Sequence, residues 1–248
     1  MNKIIDTLLN RYPIIDQLRG LAIVLMIYFH FSYDLAHFGF TDSNFYKDIY
    51  WQNLRTLIVS LFVFIVGVSL VLATRKGIQF RRYAKRVGIL LLFSILITVN
   101  SYFMFPGRTI IIGILHFIAL ASLLGLLFLR FYYLNLLFGT TLIWIGNSLQ
   151  FAVFDNIWLH WLGLMTHKPV TEDYVPLIPW FGVVLLGMFF GQTVLKYPKL
   201  NKLITTSFNN PVAHGMSFLG RHSLLVYILH QPILYGGTWL VYMMLQHQ

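Results

Sequence analysis

The sequence predicts an all-α, polytopic membrane bundle of about seven transmembrane helices, and three observations carry that expectation. The 248 residues are 58% hydrophobic and only 10% charged, where a soluble domain averages about 25% charged. The apolar residues fall in runs of about 20, the length that crosses a roughly 30 Å hydrocarbon core. Lysine and arginine gather in alternate connections between those runs, as the positive-inside rule requires.

Seven runs are long enough to span, at roughly 14–36, 56–74, 86–104, 109–128, 133–153, 176–195 and 217–244. Between the fifth and sixth, DNIWLHWLGLMTHKPVTEDYVP (155–176) is amphipathic and too polar to cross, so it is expected at the outer interface. No repeat, low-complexity tract or separate soluble domain breaks the chain, which reads as one transmembrane domain over 1–248. The opening MNKIIDTLLNRYP is not expected to be a cleavable signal, because the apolar run behind it is too long and lacks a small-residue cleavage site. Cysteine is absent, which excludes disulfides, thiolate metal sites and a cysteine nucleophile.

The net charge of +10 would suggest a nucleic-acid partner in a soluble protein; here its distribution reports topology, and no nucleic acid is expected. With the N-terminus inside, Lys3, Arg11, Arg19, Arg75, Lys76, Arg81, Arg82, Lys85, Arg86, Arg130, Lys196, Lys199, Lys202 and Arg221 are cytoplasmic. Of the 18 lysines and arginines, only Lys47, Arg55, Arg108 and Lys168 fall outside. Asp42, Asp48, Asp155, Glu172 and Asp173 are all outside as well. The expected location is a prokaryotic plasma membrane, crossed several times, with the N-terminus in the cytoplasm.

The cytoplasmic loop RKGIQFRRYAKR (75–86) carries six basic residues in twelve. One reading is a stop-transfer signal in contact with anionic lipid. The other is a landing site for a polyanion such as the phosphates of a nucleotide cofactor, since arginine meets phosphate bidentately. Alone, the loop does not choose between them.

Ionisable residues inside spans cost about 2.5–3.5 kcal/mol at a helix centre by translocon-derived scales. Those present are Arg19, His30 and Asp34 in the first run, His116 in the fourth, and His222 and His230 in the seventh. Eleven residues at 100° each place Arg19 and His30 on one stripe, about 16 Å apart. Asp34 is one turn beyond His30, within reach of its ring, and Asp16 can pair with Arg19. The alternative is two unrelated features, a snorkelling arginine and a packed histidine, and Asp34 beside His30 weighs against it. Counting rise per residue puts His30, His116 and His230 at a similar level in the outer half of the membrane, which suggests one shared polar cavity. A neutral imidazole takes a proton from a nucleophile and returns it to a leaving group, and a carboxylate on its other nitrogen fixes the tautomer. His160 and His167 are seven apart and no H-E-x-x-H occurs, so no metal site is expected.

These residues carry a family resemblance. IDQLRGLAIVLMIYFHFSYDL (15–35) resembles the opening helix of the heparan-α-glucosaminide N-acetyltransferase-like membrane proteins, and its Arg–x10–His spacing resembles the wider acyltransferase-3 group. GILHFIALASLLG (113–125), PLIPWFGVVLLGMFFG (176–191) and LGRHSLLVYILHQPIL (219–234) match in order, so the resemblance covers most of the chain. It implies transfer of an acetyl group from cytoplasmic acetyl-CoA to an amine or hydroxyl of a glycan or glycolipid on the far side. Carried over by position, Arg19 belongs to cofactor binding and His30 is the catalytic histidine. The lysosomal family member has helices and a luminal domain without counterpart in this sequence. It also places its reactive histidine in the loop after the first helix, with Asn where His30 stands, which makes His37 a rival.

The candidate catalytic residues are therefore His30, Asp34, His37 and His116. The candidate cofactor-binding residues are Arg19, Arg75, Lys76, Arg81, Arg82, Arg86, Arg221 and His230. In the expected reaction His30, oriented by Asp34, deprotonates the acceptor by direct transfer; an acetyl-histidine intermediate is the variant. Asn100, Ser101 and Tyr102 are candidate oxyanion or acceptor contacts, or simple helix-end anchors. Trp51, Trp158, Trp161 and Trp180 read as an interfacial belt before sugar stacking. The competing classes are a proton-coupled transporter, with the histidines as relay, and a non-catalytic lipid-binding protein. Many membrane enzymes of this size associate, so a homodimer is compatible with the sequence, which carries no sign for or against it.

Overall fold

The structure is a computed structural model that describes residues 12–104, 106–206, 208 and 210–246. Lys3 and Arg11, counted above for orientation, lie outside the described residues. Among these, the chain is all helical: α1 (Pro13–His37), α2 (Ile49–Thr74), α3 (Phe80–Met104), α4 (Ile114–Phe128), α5 (Tyr133–Ser148), α6 (Leu177–Lys196), α7 (Pro198–Thr205), α8 (Pro211–Arg221) and α9 (Ser223–Gln246). Five of them, α1, α2, α3, α6 and α9, are long and apolar enough to cross a membrane, and α4 is a shorter apolar helix of 15 residues. The protein is a multi-pass membrane bundle, as the composition requires.

Three of the predicted runs differ from the helices that form. The run 109–128 becomes α4 only from Ile114, because Gly113 is extended (φ −91°, ψ −179°) and Asp173 Oδ2 accepts the Ile114 N–H at 2.8 Å. The run 133–153 stops at Ser148, where Leu149 turns extended (φ −119°, ψ 135°). Its 16 residues reach only about 24 Å, short of a bilayer core. The run 217–244 is two helices, interrupted at His222 (φ −102°, ψ 19°).

The described residues form two compact units, one of the chain up to Phe62 and from Pro198 onward, the other of Val63–Tyr197. In the first unit α1 packs on α7, α8 and α9. Its apolar core is Ile23, Met26 and Ile58, with Leu54, Phe62, Leu219, Val226 and Tyr227 against it. The α1–α8 contact brings backbone against backbone: a Cβ on Gly20 would lie 2.0 Å from the Met216 carbonyl oxygen, and one on Gly220 1.9 Å from that of Asp16.

In the second unit α6 packs on α4 and α5, and α3 on α4. The 149–176 segment is irregular, with two short 3-10 turns at Ala152–Asp155 and Ile157–Leu159. Its Trp161 and Leu162 carbonyls accept the Leu177 and Ile178 N–H groups at 2.8 and 2.9 Å, which docks it on the start of α6.

Candidate active site on the α1–α9 contact

The first unit brings two histidines together. His30 of α1 and His230 of α9 meet with ring centroids 4.9 Å apart and planes at 61°. His230 is buried, and its Nδ1 is 2.6 Å from the Tyr227 carbonyl oxygen. A carbonyl only accepts, so Nδ1 carries the proton and Nε2 of the neutral ring presents a lone pair. That Nε2 has no hydrogen-bond partner among the described residues. His30 is half-buried and makes no hydrogen bond among them either; it contacts the rings of Phe29 and His230.

Asp34 is fully buried one turn beyond His30, but it does not orient that ring. Its Oδ1 accepts the side-chain amide N–H of Gln231 at 2.9 Å, while His30 faces His230 instead. The amide reaches the carboxylate from across the helix contact, and the His30 ring lies against His230. The expected Asp34–His30 couple is therefore replaced by Asp34–Gln231 and His30–His230. His37 is exposed in the last turn of α1, beside the rings of Tyr33, Phe38 and Tyr235.

Arg19 donates to Asp16 Oδ1 at 3.0 Å and to the Gly220 carbonyl at 3.4 Å. It thus ties the first turns of α1 to α8, at the glycine where the two backbones touch. Arg221 is exposed and donates through Nε to Ser217 of its own helix at 3.1 Å. His222 closes α8, its Nδ1 2.9 Å from the Phe218 carbonyl.

His116, Arg75, Lys76, Arg81, Arg82 and Arg86 belong to the second unit. His116 is saturated. Gly113 N–H donates to its Nδ1 at 3.3 Å, so Nε2 carries the hydrogen toward Thr98 Oγ1 at 3.1 Å, and Thr98 donates onward to the Ile110 carbonyl at 2.7 Å. This chain caps α4 and fastens it to α3. Arg81, Arg82 and Arg86 are exposed in the first two turns of α3, whose first turn holds no acidic residue. Ser101 is a strut, accepting from Ile110 N–H and donating to the Thr98 carbonyl, both at 2.9 Å. Asn100 and Tyr102 are exposed. Trp51, expected in the interfacial belt, is buried and stacked on Phe45 at 4.2 Å; Trp158 and Trp161 are exposed.

In the 149–176 segment Asp155 accepts from Thr166 N–H at 2.8 Å and from Thr166 Oγ1 at 2.6 Å. These bonds, with His167 close by, hold its carboxyl below the usual range. Tyr174 donates to the His160 carbonyl at 2.7 Å, and burial pushes its hydroxyl up to about 12. Among the described residues, no three His, Asp or Glu side chains gather as metal ligands would.

Sequence reasoning missed Gln231 and the Tyr227 carbonyl. The first had a signal, a glutamine beside a histidine inside an apolar helix; the second, a main-chain atom, had none. Compared with known proteins, the sequence matches the family described as heparan-alpha-glucosaminide N-acetyltransferase, catalytic, over residues 11–232. No curated protein and no solved structure matches it.

Proposed function

We propose, from the premise that the chain belongs to the heparan-α-glucosaminide N-acetyltransferase catalytic family, that it is an integral membrane acetyltransferase. It takes the acetyl group of acetyl-CoA from the cytoplasm and delivers it to an amine or hydroxyl of a glycan or glycolipid on the other face. The N-terminus is cytoplasmic, and the membrane is a prokaryotic plasma membrane.

The observation that carries the chemistry is the His30–His230 pair, with the proton of His230 held on Nδ1 by Tyr227. As the acceptor attacks the thioester carbonyl, its N–H or O–H proton passes to Nε2 of His230. The C–S bond breaks, and the thiolate takes a proton back from the imidazole pair, His30 being the ring without a hydrogen bond to hold it. No covalent acetyl-enzyme forms, so acid-quenched protein retains no label.

The start of α3 supports phosphate binding. A helix N-terminus is positive by its own dipole, so Arg81, Arg82, Lys85 and Arg86 there repel it unless an anion joins them. Arg19 contributes less than its spacing suggests, because Asp16 and Gly220 already occupy part of its guanidinium. Purified full-length protein given radiolabelled acetyl-CoA and glucosamine tests the reading. Labelled N-acetylglucosamine is the expected product; no transfer, together with no acetyl-CoA binding at millimolar concentration, overturns it and favours a transporter.

A further inference from the structure

The Asp34–Gln231 bond leaves two acceptors over. Asp34 Oδ2 and Gln231 Oε1 are buried and have no hydrogen-bond partner among the described residues. They belong to two groups already joined to each other, Asp34 Oδ1 and Gln231 Nε2 being 2.9 Å apart. That bond also sets the amide, spending its nitrogen on Asp34 and leaving its oxygen surplus.

An unmet buried acceptor costs about 1–3 kcal/mol, and more when charged. Two other buried polar side chains, Ser94 and Thr238, avoid this cost by donating to a carbonyl of their own helix at 2.8 Å, whereas Asn135 on α5 also leaves its Oδ1 unmet. Asp34 and Gln231 have no such return, on a face shared with the His30–His230 pair, and Asp34 is only three residues from the end of α1. The third unpaired acceptor of this contact is Nε2 of His230, the residue before Gln231.

A carboxylate and an amide oxygen with no donors call for a guest that donates at least twice. We infer that Asp34 and Gln231 form the subsite that holds the acceptor's nucleophilic group, a primary amine that arrives as its ammonium beside His230, gives one proton to the Asp34 carboxylate to free its lone pair, and gives a second to Nε2 of His230 as it attacks. An ammonium brings three N–H donors and a charge that Asp34 balances; a single hydroxyl brings one donor. This inference rests on the acetyltransferase reading for its substrate, but not for its test.

The test is equilibrium dialysis of radiolabelled glucosamine against full-length protein without acetyl-CoA, with glucose as the uncharged comparison. Wild type is expected to bind glucosamine in preference to glucose. Asp34→Asn and Gln231→Leu are each expected to weaken glucosamine binding at least about tenfold, the loss of one charge-assisted bond. The acetyl-CoA-induced thermal shift should survive in both. If Asp34→Asn does not fold, Gln231→Leu decides alone. Wild-type protein that binds no glucosamine, or variants that bind it as wild type does, overturn the subsite and leave buried water as the partner of these atoms. Glucosamine binding that depends on Asp34, in a protein that transfers no acetyl group, supports the subsite while overturning the acetyltransferase reading.

Discussion

Gln231 on α9 donates its side-chain amide to Asp34 on α1 across 2.9 Å, and that bond decides the layout of the candidate site. The carboxylate's hydrogen bond goes to Gln231 and not to His30, one turn earlier on the same helix. His30 turns to His230 instead, so the two polar couples lie along one helix–helix contact. The tautomer that matters is set by a main-chain carbonyl, Tyr227, and not by an acidic side chain.

The α1–α8 contact leaves no room for a side chain at Gly20 or Gly220. Gly20→Ala and Gly220→Ala each drive a Cβ into a main-chain oxygen of the other helix, at 2.0 and 1.9 Å before relaxation. Overpacking of this kind costs about 1–3 kcal/mol or more. Gly236 on α9 has nothing within 4 Å of its Cβ direction. Gly236→Ala should therefore leave the melting temperature unchanged or raise it, by the roughly 0.5–1 kcal/mol that alanine gains in a helix. Thermal melts in detergent separate the three variants.

His116 is predicted to act as a fastener. His116→Ala strands the Gly113 N–H and removes one of the two partners of the Thr98 hydroxyl, which keeps the Ile110 carbonyl, and should cost about 1–3 kcal/mol. Activity per folded molecule should stay within about twofold, well inside the factor of 100 or more that loss of a general base removes. A kinetic loss without a change in melting would give His116 a chemical role.

Asp155 makes the 149–176 segment acid-sensitive. Its folded pKa lies below its unfolded value because the charged form accepts from Thr166. Its contribution is therefore complete above about pH 4, the ordinary carboxylate value, and is lost as pH falls through the lower folded value. Hydrogen exchange across residues 150–176 should rise as pH drops below about 4, once corrected for intrinsic exchange. Asp155→Asn should show that faster exchange at every pH.

The sequence made the class of fold plain because lipid imposes it: ten charged residues per hundred and 20-residue apolar runs leave helices as the only spanning form. What it left hidden were breaks decided by main-chain geometry, at Gly113, Leu149 and His222. The site divided along the same line. Spacing along one helix correctly put Asp16 against Arg19, three residues apart. It failed for His30 and Asp34, because Gln231 and His230 compete for them from a helix about 200 residues away in sequence. Helical periodicity lists the residues that could touch within one helix; it says nothing of a better partner arriving from another.

The central claim is that Nε2 of His230 takes the acceptor's proton. Single-turnover acetyl transfer from radiolabelled acetyl-CoA to glucosamine, measured for His230→Ala, His30→Ala and His37→Ala, tests it most directly. The account predicts that His230→Ala loses about 100- to 10,000-fold in rate while keeping its acetyl-CoA-induced thermal shift, and that His37→Ala turns over like wild type. His230→Ala transferring acetyl within about threefold of wild type, with His30→Ala or His37→Ala inactive, would contradict it and move the base onto α1.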